Sequence, residues 1–244
     1  MDNDNKAQEI KACAIIEAKG AAQAIEHIGK AKNAGASLVE LRMDLIYGNC
    51  IPDFGLIGTT HENGMKCIVT FRDKTEGGSF AGEGKKELVE RAIEAGADYV
   101  DVETSHSDII KAVAQKARTA GCKIIGSWHD FGNKTDLEKA IAAIQKAKAL
   151  GADVAKVAFV STSEEEARTA VDAIAKAAKE AEIPIIISPM GKDAAKNRAY
   201  ALSMGSEFAY CTVGGLDGMP GVPTFSELAK NIQQHQKDSE INGN

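Results

Sequence analysis

The chain has 244 residues, 44% of them hydrophobic and 26% charged, and its 35 acidic and 29 basic side chains leave a net charge of −6. That apolar fraction excludes wholesale disorder, and a chain this long buries roughly 70% of its unfolded surface, so it needs no metal or disulfide to fold. The acidic balance argues against a general nucleic-acid binder, no run of roughly 18 apolar residues offers a membrane span, and the polar start MDNDNKAQEI lacks the apolar core of a secretion signal, so a cytoplasmic protein is expected.

Past a polar tail over about residues 1–8, Cys13–Ile16 reads as a first short strand. A helical stretch follows and ends at the turn NAGAS, from which Leu38–Arg42 runs as the second strand; Cys67–Phe71 is the third. The Lys/Glu-rich segment EGKKELVERAIEA reads as a helix with a solvated face, and the turn AGAD after it opens Tyr99–Glu103. Turns of the same kind, TAGC, LGAD and SMGS, open Lys123–Trp128, Val154–Phe159 and Phe208–Thr212, with Ile185–Ser188 between the last two. A second polar tail covers about residues 237–244.

Glycine at each turn suits a helix C-cap, and each apolar run is short enough for a buried parallel strand. Turns recur about every 25–30 residues, the size of a βα unit. Eight such units in one chain are the arithmetic of an α/β protein of the (β/α)8 TIM-barrel type, a single domain over residues 1–244. A doubly wound open sheet is the alternative, but it usually has fewer strands, and no GxGxxG follows the first strand. The five cysteines Cys13, Cys50, Cys67, Cys122 and Cys211 form an odd set without CxxC spacing. All but Cys50 sit in or beside apolar runs, so free thiols are expected rather than a metal or disulfide role.

In such a barrel the chemistry lies at the C-terminal strand ends, and strand side chains alternate between interior and helix layer. Val39 and Leu41 then face the helices while Glu40 and Arg42 face in; Val100 and Val102 face out while Asp101 and Glu103 face in. Thr70 and Arg72 share one parity, with Glu76 in the loop beyond, and Ser127 and His129 share another. Taken singly, each charged strand end also fits a solvated rim or a structural ion pair, and Asp101 and Glu103 suit support of neighbouring cations. Lys156 is the exception, an inward lysine in the apolar strand DVAKVAF. Such a lysine is costly unless paired or neutral. Burial and the cations Arg42 and Arg72 would lower its pKa and make it a nucleophile toward carbonyls, while an ion pair with Glu40 or Glu103 is the structural alternative. A Schiff-base lysine, a histidine one strand earlier and arginines on two strands together suit a lyase or aldolase with an anionic keto substrate.

The motifs ELRMD, TFRDKTEGG, SWHDF, ADVAKVA and MGKDAAKNR, in this order from about Ala12 to Leu228, resemble the type I 3-dehydroquinate dehydratase family. The resemblance implies a (β/α)8 barrel, commonly a homodimer, with no metal and no organic cofactor. It implies a lyase of the shikimate pathway, toward chorismate and the aromatic amino acids, whose small-molecule substrate 3-dehydroquinate loses water by syn elimination to give 3-dehydroshikimate. Carried over by motif, Lys156 forms the imine with the C3 ketone. His129 takes the C2 proton and returns a proton to the departing C1 hydroxyl, and Glu76 orients His129. Glu40, Arg42 and Arg72 contact ring hydroxyls, Arg198 pairs with the carboxylate, and Met190 packs on the ring. No nucleic-acid or membrane partner is implied.

One segment departs from the family. A lid usually reading Ser-Ala-Pro-Gly-Gln is GGLDGMPGVPTF here, which puts Gly218 at the Ser position and Val222 at the Gln position. Two lost hydrogen bonds to a polar ligand would cost about 1.5–3 kcal/mol each, with Thr224, Asp217 or backbone N–H groups as the replacements. The altered lid and the pair Gly214–Gly215 keep open a Schiff-base barrel acting on another keto acid or a phosphorylated ketose. A barrel that only binds a metabolite or partner is a further alternative, against which the buried Lys156 argues.

Overall fold

The computed structural model describes residues 10–48, 50–132, 135–213 and 221–242. Its strands are Ala12–Ile16 (β1), Leu38–Arg42 (β2), Lys66–Thr70 (β3), Tyr99–Glu103 (β4), Lys123–Asp130 (β5), Val154–Ser161 (β6), Ile185–Gly191 (β7) and Ala209–Thr212 (β8). The helices are Ala21–Ala34 (α1), Met43–Tyr47 (α2), Gly55–Glu62 (α3), Lys85–Glu94 (α4), Ser107–Ala120 (α5), Leu137–Leu150 (α6), Glu164–Glu180 (α7), Ala194–Ser203 (α8) and Phe225–Asn242 (α9). Among the described residues no helix is long and apolar enough to cross a membrane.

The strands form one parallel sheet in the order β7-β6-β5-β4-β3-β2-β1-β8. The sheet curls until β7 meets the chain entering β8, where Ile185 bridges Ser206 and the Ser206 hydroxyl accepts the Ile187 N–H at 3.0 Å. This is the eightfold βα barrel expected from the repeat. Outward residues such as Val39, Leu41, Val100, Val102, Val157 and Phe159 pack with Ile28, Val89, Ile110, Ile144 and Val171 of the helices. Inward residues including Cys13, Leu38, Ile68, Ile125, Val154, Ile186 and Phe208 form a separate core at the bottom of the barrel. The alternation along each strand therefore separates two apolar clusters and leaves the upper interior for polar groups.

The repeated small-residue turns share one hydrogen-bond pattern. The N–H of Ala36, Ala97, Cys122, Ala152 and Ser206 each donates to the carbonyl five residues earlier, at 2.9–3.1 Å. That is the Schellman closure of a helix, with the intervening glycine left-handed, as at Gly121 (φ 74°) and Gly151 (φ 85°). In two of these turns an aspartate then holds the neighbouring strand. Asp98 accepts the Cys67 N–H at 2.9 Å, and Asp153 accepts the Ile124 N–H at 2.8 Å.

Three strands outrun the apolar runs that announced them. β5, β6 and β7 continue to Asp130, Ser161 and Gly191 because they pair with one another there, His129 opposite Ala158 and Ser161 opposite Gly191. β3 ends earlier than expected, leaving Phe71 and Arg72 past its last paired residue.

Candidate active site

All eight residues singled out from sequence line one pocket at the C-terminal end of the barrel: Glu40, Arg42, Arg72, Glu76, His129, Lys156, Met190 and Arg198. Strand parity explains the convergence, because each strand-borne member occupies an inward position: Glu40 and Lys156 within β2 and β6, Arg42, His129 and Met190 at or near the ends of β2, β5 and β7, and Arg72 just past β3.

Lys156 is 5% exposed. Its Nζ lies 2.9 Å from Asp101 Oδ2 and 3.3 Å from Glu40 Oε1, and 4.2 Å above the centre of the Tyr210 ring. Its immediate partners are thus carboxylates and an aromatic face, not the arginines. Asp101 also faces Arg72 at 2.8 Å and accepts the Ser127 hydroxyl at 2.6 Å. Burial would raise Asp101, but Arg72 and Lys156 outweigh it and hold the carboxyl well below the usual range. Thr70 donates to Glu40 Oε1 at 2.9 Å, which fixes that carboxylate beside the lysine.

His129 stands two residues beyond the Lys156 level, since Ser127 is opposite Lys156 in the β5–β6 pairing; two residues are about 6.6 Å toward the mouth. Its Nδ1 is 2.9 Å from Glu76 Oε2, which also accepts the His129 N–H at 3.1 Å. Phe131 lies parallel to the imidazole, with ring centres 6.4 Å apart. Burial and the charges of Arg72 and Lys156 push His129 well below its ordinary value. Burial pushes Glu76 up to about 7, against the pull of Arg72. Both shifts favour an uncharged imidazole, the form able to accept a proton.

The loop carrying Glu76 is built on two glycines of TEGG. A Cβ at Gly78 would sit 1.9 Å from the Arg72 carbonyl oxygen, and one at Gly77 would sit 2.4 Å from the Phe131 ring. Only glycine lets the chain fold back onto the end of β3 and point Glu76 at His129. Asp44 ties the same loop down: it holds Arg42 Nε and Nη2 at 2.9 and 2.8 Å and accepts the Ser79 N–H at 3.1 Å.

Arg198 rises from α8 with its guanidinium buried. Its Nε donates to the Pro189 carbonyl at 3.0 Å and its Nη1 to the Tyr210 carbonyl, so one side chain spans β7 and the chain of β8. Burial lowers it to about 10. At the lid, Val222 lines the pocket with an aliphatic side chain, while Gly218, Asp217 and Gly214–Gly215 lie outside the described residues. Thr224 donates its hydroxyl to Glu227 at 2.9 Å and caps α9.

Several lining residues were not singled out from sequence. Tyr210, Ser188 and Phe131 face the pocket, and the hydroxyls of Ser188 and Tyr210 are buried with no hydrogen-bond partner among the described residues. For Ser188 and Tyr210, the parity shared with Met190 and Thr212 was the available signal. Lys85 is a correction. Read as part of a solvated helix face, it is buried and pairs with Asp73 at 3.0 Å and with Glu103. As the first residue of α4 it reaches over the barrel rim, which a strand-parity argument does not cover. Asp73, Glu103 and His106 converge closely enough to suggest a metal set, but the Lys85 ammonium already occupies that position.

The family model of type I 3-dehydroquinase matches residues 12–239. The chain is 30% identical to the chloroplastic bifunctional 3-dehydroquinate dehydratase/shikimate dehydrogenase of Arabidopsis thaliana, over 95% of this chain but only 38% of that protein. It is 28% identical to the 3-dehydroquinate dehydratase of Geobacillus thermodenitrificans, over 88% of this chain and 87% of the relative. The crystal structure of 3-dehydroquinate dehydratase from Geobacillus kaustophilus superposes with a TM-score of 0.84 at 22% identity, covering 94% and 92% of the two chains, which shows the common fold. With a match along nearly its whole length, the chain belongs to the type I 3-dehydroquinases.

Proposed function

We propose that the chain dehydrates 3-dehydroquinate to 3-dehydroshikimate through an imine on Lys156. The observation that carries this reading is a buried lysine set one layer beneath a histidine–glutamate pair in a pocket that also holds three arginines. The Lys156 amine adds to the C3 ketone and water leaves, giving an iminium. That positive charge then lies between Asp101, Glu40 and the Tyr210 ring, groups already in place before substrate arrives. His129 removes the C2 proton and the iminium takes up the electron pair as an enamine. The pair returns, the C1 hydroxyl departs with a proton from His129, and hydrolysis of the imine restores the amine. One imidazole on one face of the ring serves both transfers, which is the requirement of a syn elimination.

Glu76 fixes the tautomer of His129. Arg198 supplies the charge for the substrate carboxylate, and Glu40, Arg42 and Arg72 supply partners for ring hydroxyls. Met190 packs on the ring. The reading includes a homodimer working in the shikimate pathway of the cytoplasm, supported by the family resemblance.

The test is borohydride trapping with 3-dehydroquinate, read by peptide mass. The expected product is a reduced adduct of dehydrated mass on Lys156. No adduct, or an adduct unaffected by Lys156→Ala, would overturn the mechanism. Val222 favours a second reading, the same lysine chemistry on a different keto acid. Substrate comparison separates the two: a kcat/KM for 3-dehydroquinate well above that for other keto acids supports the first, and the reverse order the second.

A further inference from the structure

At the end of the barrel opposite the mouth, three side chains of different chemistry meet. His61 lies in the last turn of α3, Cys67 near the start of β3, and Asp98 in the turn before β4. His61 Nε2 is 2.9 Å from Asp98 Oδ2 and 3.9 Å from Cys67 Sγ, and the three donor atoms all lie within 4.8 Å of one another. The backbone role of Asp98 does not explain this grouping. Asp153 performs the same bond toward Ile124, so the imidazole and thiol beside Asp98 are additional to what the turn requires.

We propose that His61, Cys67 and Asp98 bind a divalent ion of borderline softness, of the zinc or cobalt class. Tetrahedral zinc with ordinary bond lengths has ligand edges of about 3.3 Å between N and O and about 3.6 Å between N and S. The observed 2.9 and 3.9 Å differ from these by amounts that small side-chain rotations absorb. A thiolate, an imidazole and one carboxylate select such an ion over magnesium or calcium, which prefer all-oxygen sets. Thiolate and carboxylate together balance the double positive charge. Cys67 is buried, whereas His61 and Asp98 are partly exposed, so the ion enters from the solvent side and water takes the fourth corner.

Coordination replaces the thiol proton by the metal and releases it to solvent. The consequence is a clasp joining α3 to the starts of β3 and β4.

The experiment is titration of the tag-free chain with Co2+, followed by Zn2+ displacement. The expected result is saturation at one ion per chain, with a thiolate-to-cobalt charge-transfer band and the intense visible bands of a tetrahedral site. Excess Zn2+ should remove the bands and raise Tm by about 5 °C. Cys67→Ser should abolish the charge-transfer band, and His61→Ala should weaken binding by at least about tenfold. If Cys67→Ser does not fold, His61→Ala and Asp98→Asn decide by affinity. Absence of a saturable band, its survival in His61→Ala and Asp98→Asn at unchanged affinity, or its loss in Cys50→Ser would overturn the proposal.

Discussion

His129 and Glu76 are matched by burial as much as by the hydrogen bond between them. Above pH 7 the Glu76 carboxylate accepts from Nδ1 and leaves the Nε2 lone pair to the substrate; below it, the added proton sits in that bond and Nε2 keeps its hydrogen. The kcat/KM profile should therefore rise with pH through about 7, and Glu76→Gln should remove that limb while lowering the rate. His129→Ala should lower kcat by about 10²–10⁴-fold while imine trapping persists. The same shift has a stability cost. Glu76 rests at about 7 in the fold against an ordinary 4.5, so the native state holds its proton more tightly than the unfolded chain. Stability from this group is complete below pH 4.5, falls as pH rises to 7, and is then lower by up to about 3 kcal/mol. Denaturant midpoints should accordingly show Glu76→Gln gaining on the parent chain at pH 8 relative to pH 4. At this scale the sequence was informative for much of the strand-borne lining, because period-two alternation turns Glu40, His129 and Lys156 inward and carries on to Arg72 just past β3, although the same parity at Ser188 and Tyr210 was passed over. It named Glu40 or Glu103 as a partner for Lys156; Glu40 and Asp101 hold the lysine, while Glu103 pairs with Arg72 and Lys85, because the choice depends on barrel stagger and Lys85 enters from a helix end.

Among the elements, β5 is held close against its following helix. A Cβ on Gly126 would lie 2.9 Å from that of Ala147 and 3.0 Å from that of Ala152, so α6 rests directly on strand backbone. Gly126→Ala should cost about 1–3 kcal/mol by overpacking and lower Tm by several degrees, as thermal unfolding would show. Because β5 carries His129, some loss of activity should accompany it. Helix and strand order was legible from the recurring Gly-centred turns, each closed by the same bond five residues back. Strand ends were not, since Asp130, Ser161 and Gly191 are held by pairing between strands distant in sequence. The resemblance implies a polar residue at the position of Val222, which lines the pocket. Val222 brings an aliphatic wall where the resemblance implies a polar contact, so Val222→Gln should lower KM for 3-dehydroquinate more than it changes kcat.

At the scale of the whole molecule, the described residues join the barrel by seven ladders of paired backbone, while the joint between β7 and β8 rests on the Ile185–Ser206 bridge with the Glu207 N–H donating to the Ile185 carbonyl, the Ser206 hydroxyl and the two carbonyl bonds of Arg198. Arg198→Ala should thus lower both kcat/KM and Tm. Arg198→Lys should keep part of the carboxylate affinity but lose the span, since an ammonium lacks the planar fork. The residue proposed to receive the substrate's carboxylate is therefore also the buckle of the hoop. A bound anion tightens that buckle from inside, and its grip should be read far from the ring it holds: amide hydrogens along β7 and β8 should exchange more slowly when the pocket is filled, with the circumference itself registering occupancy.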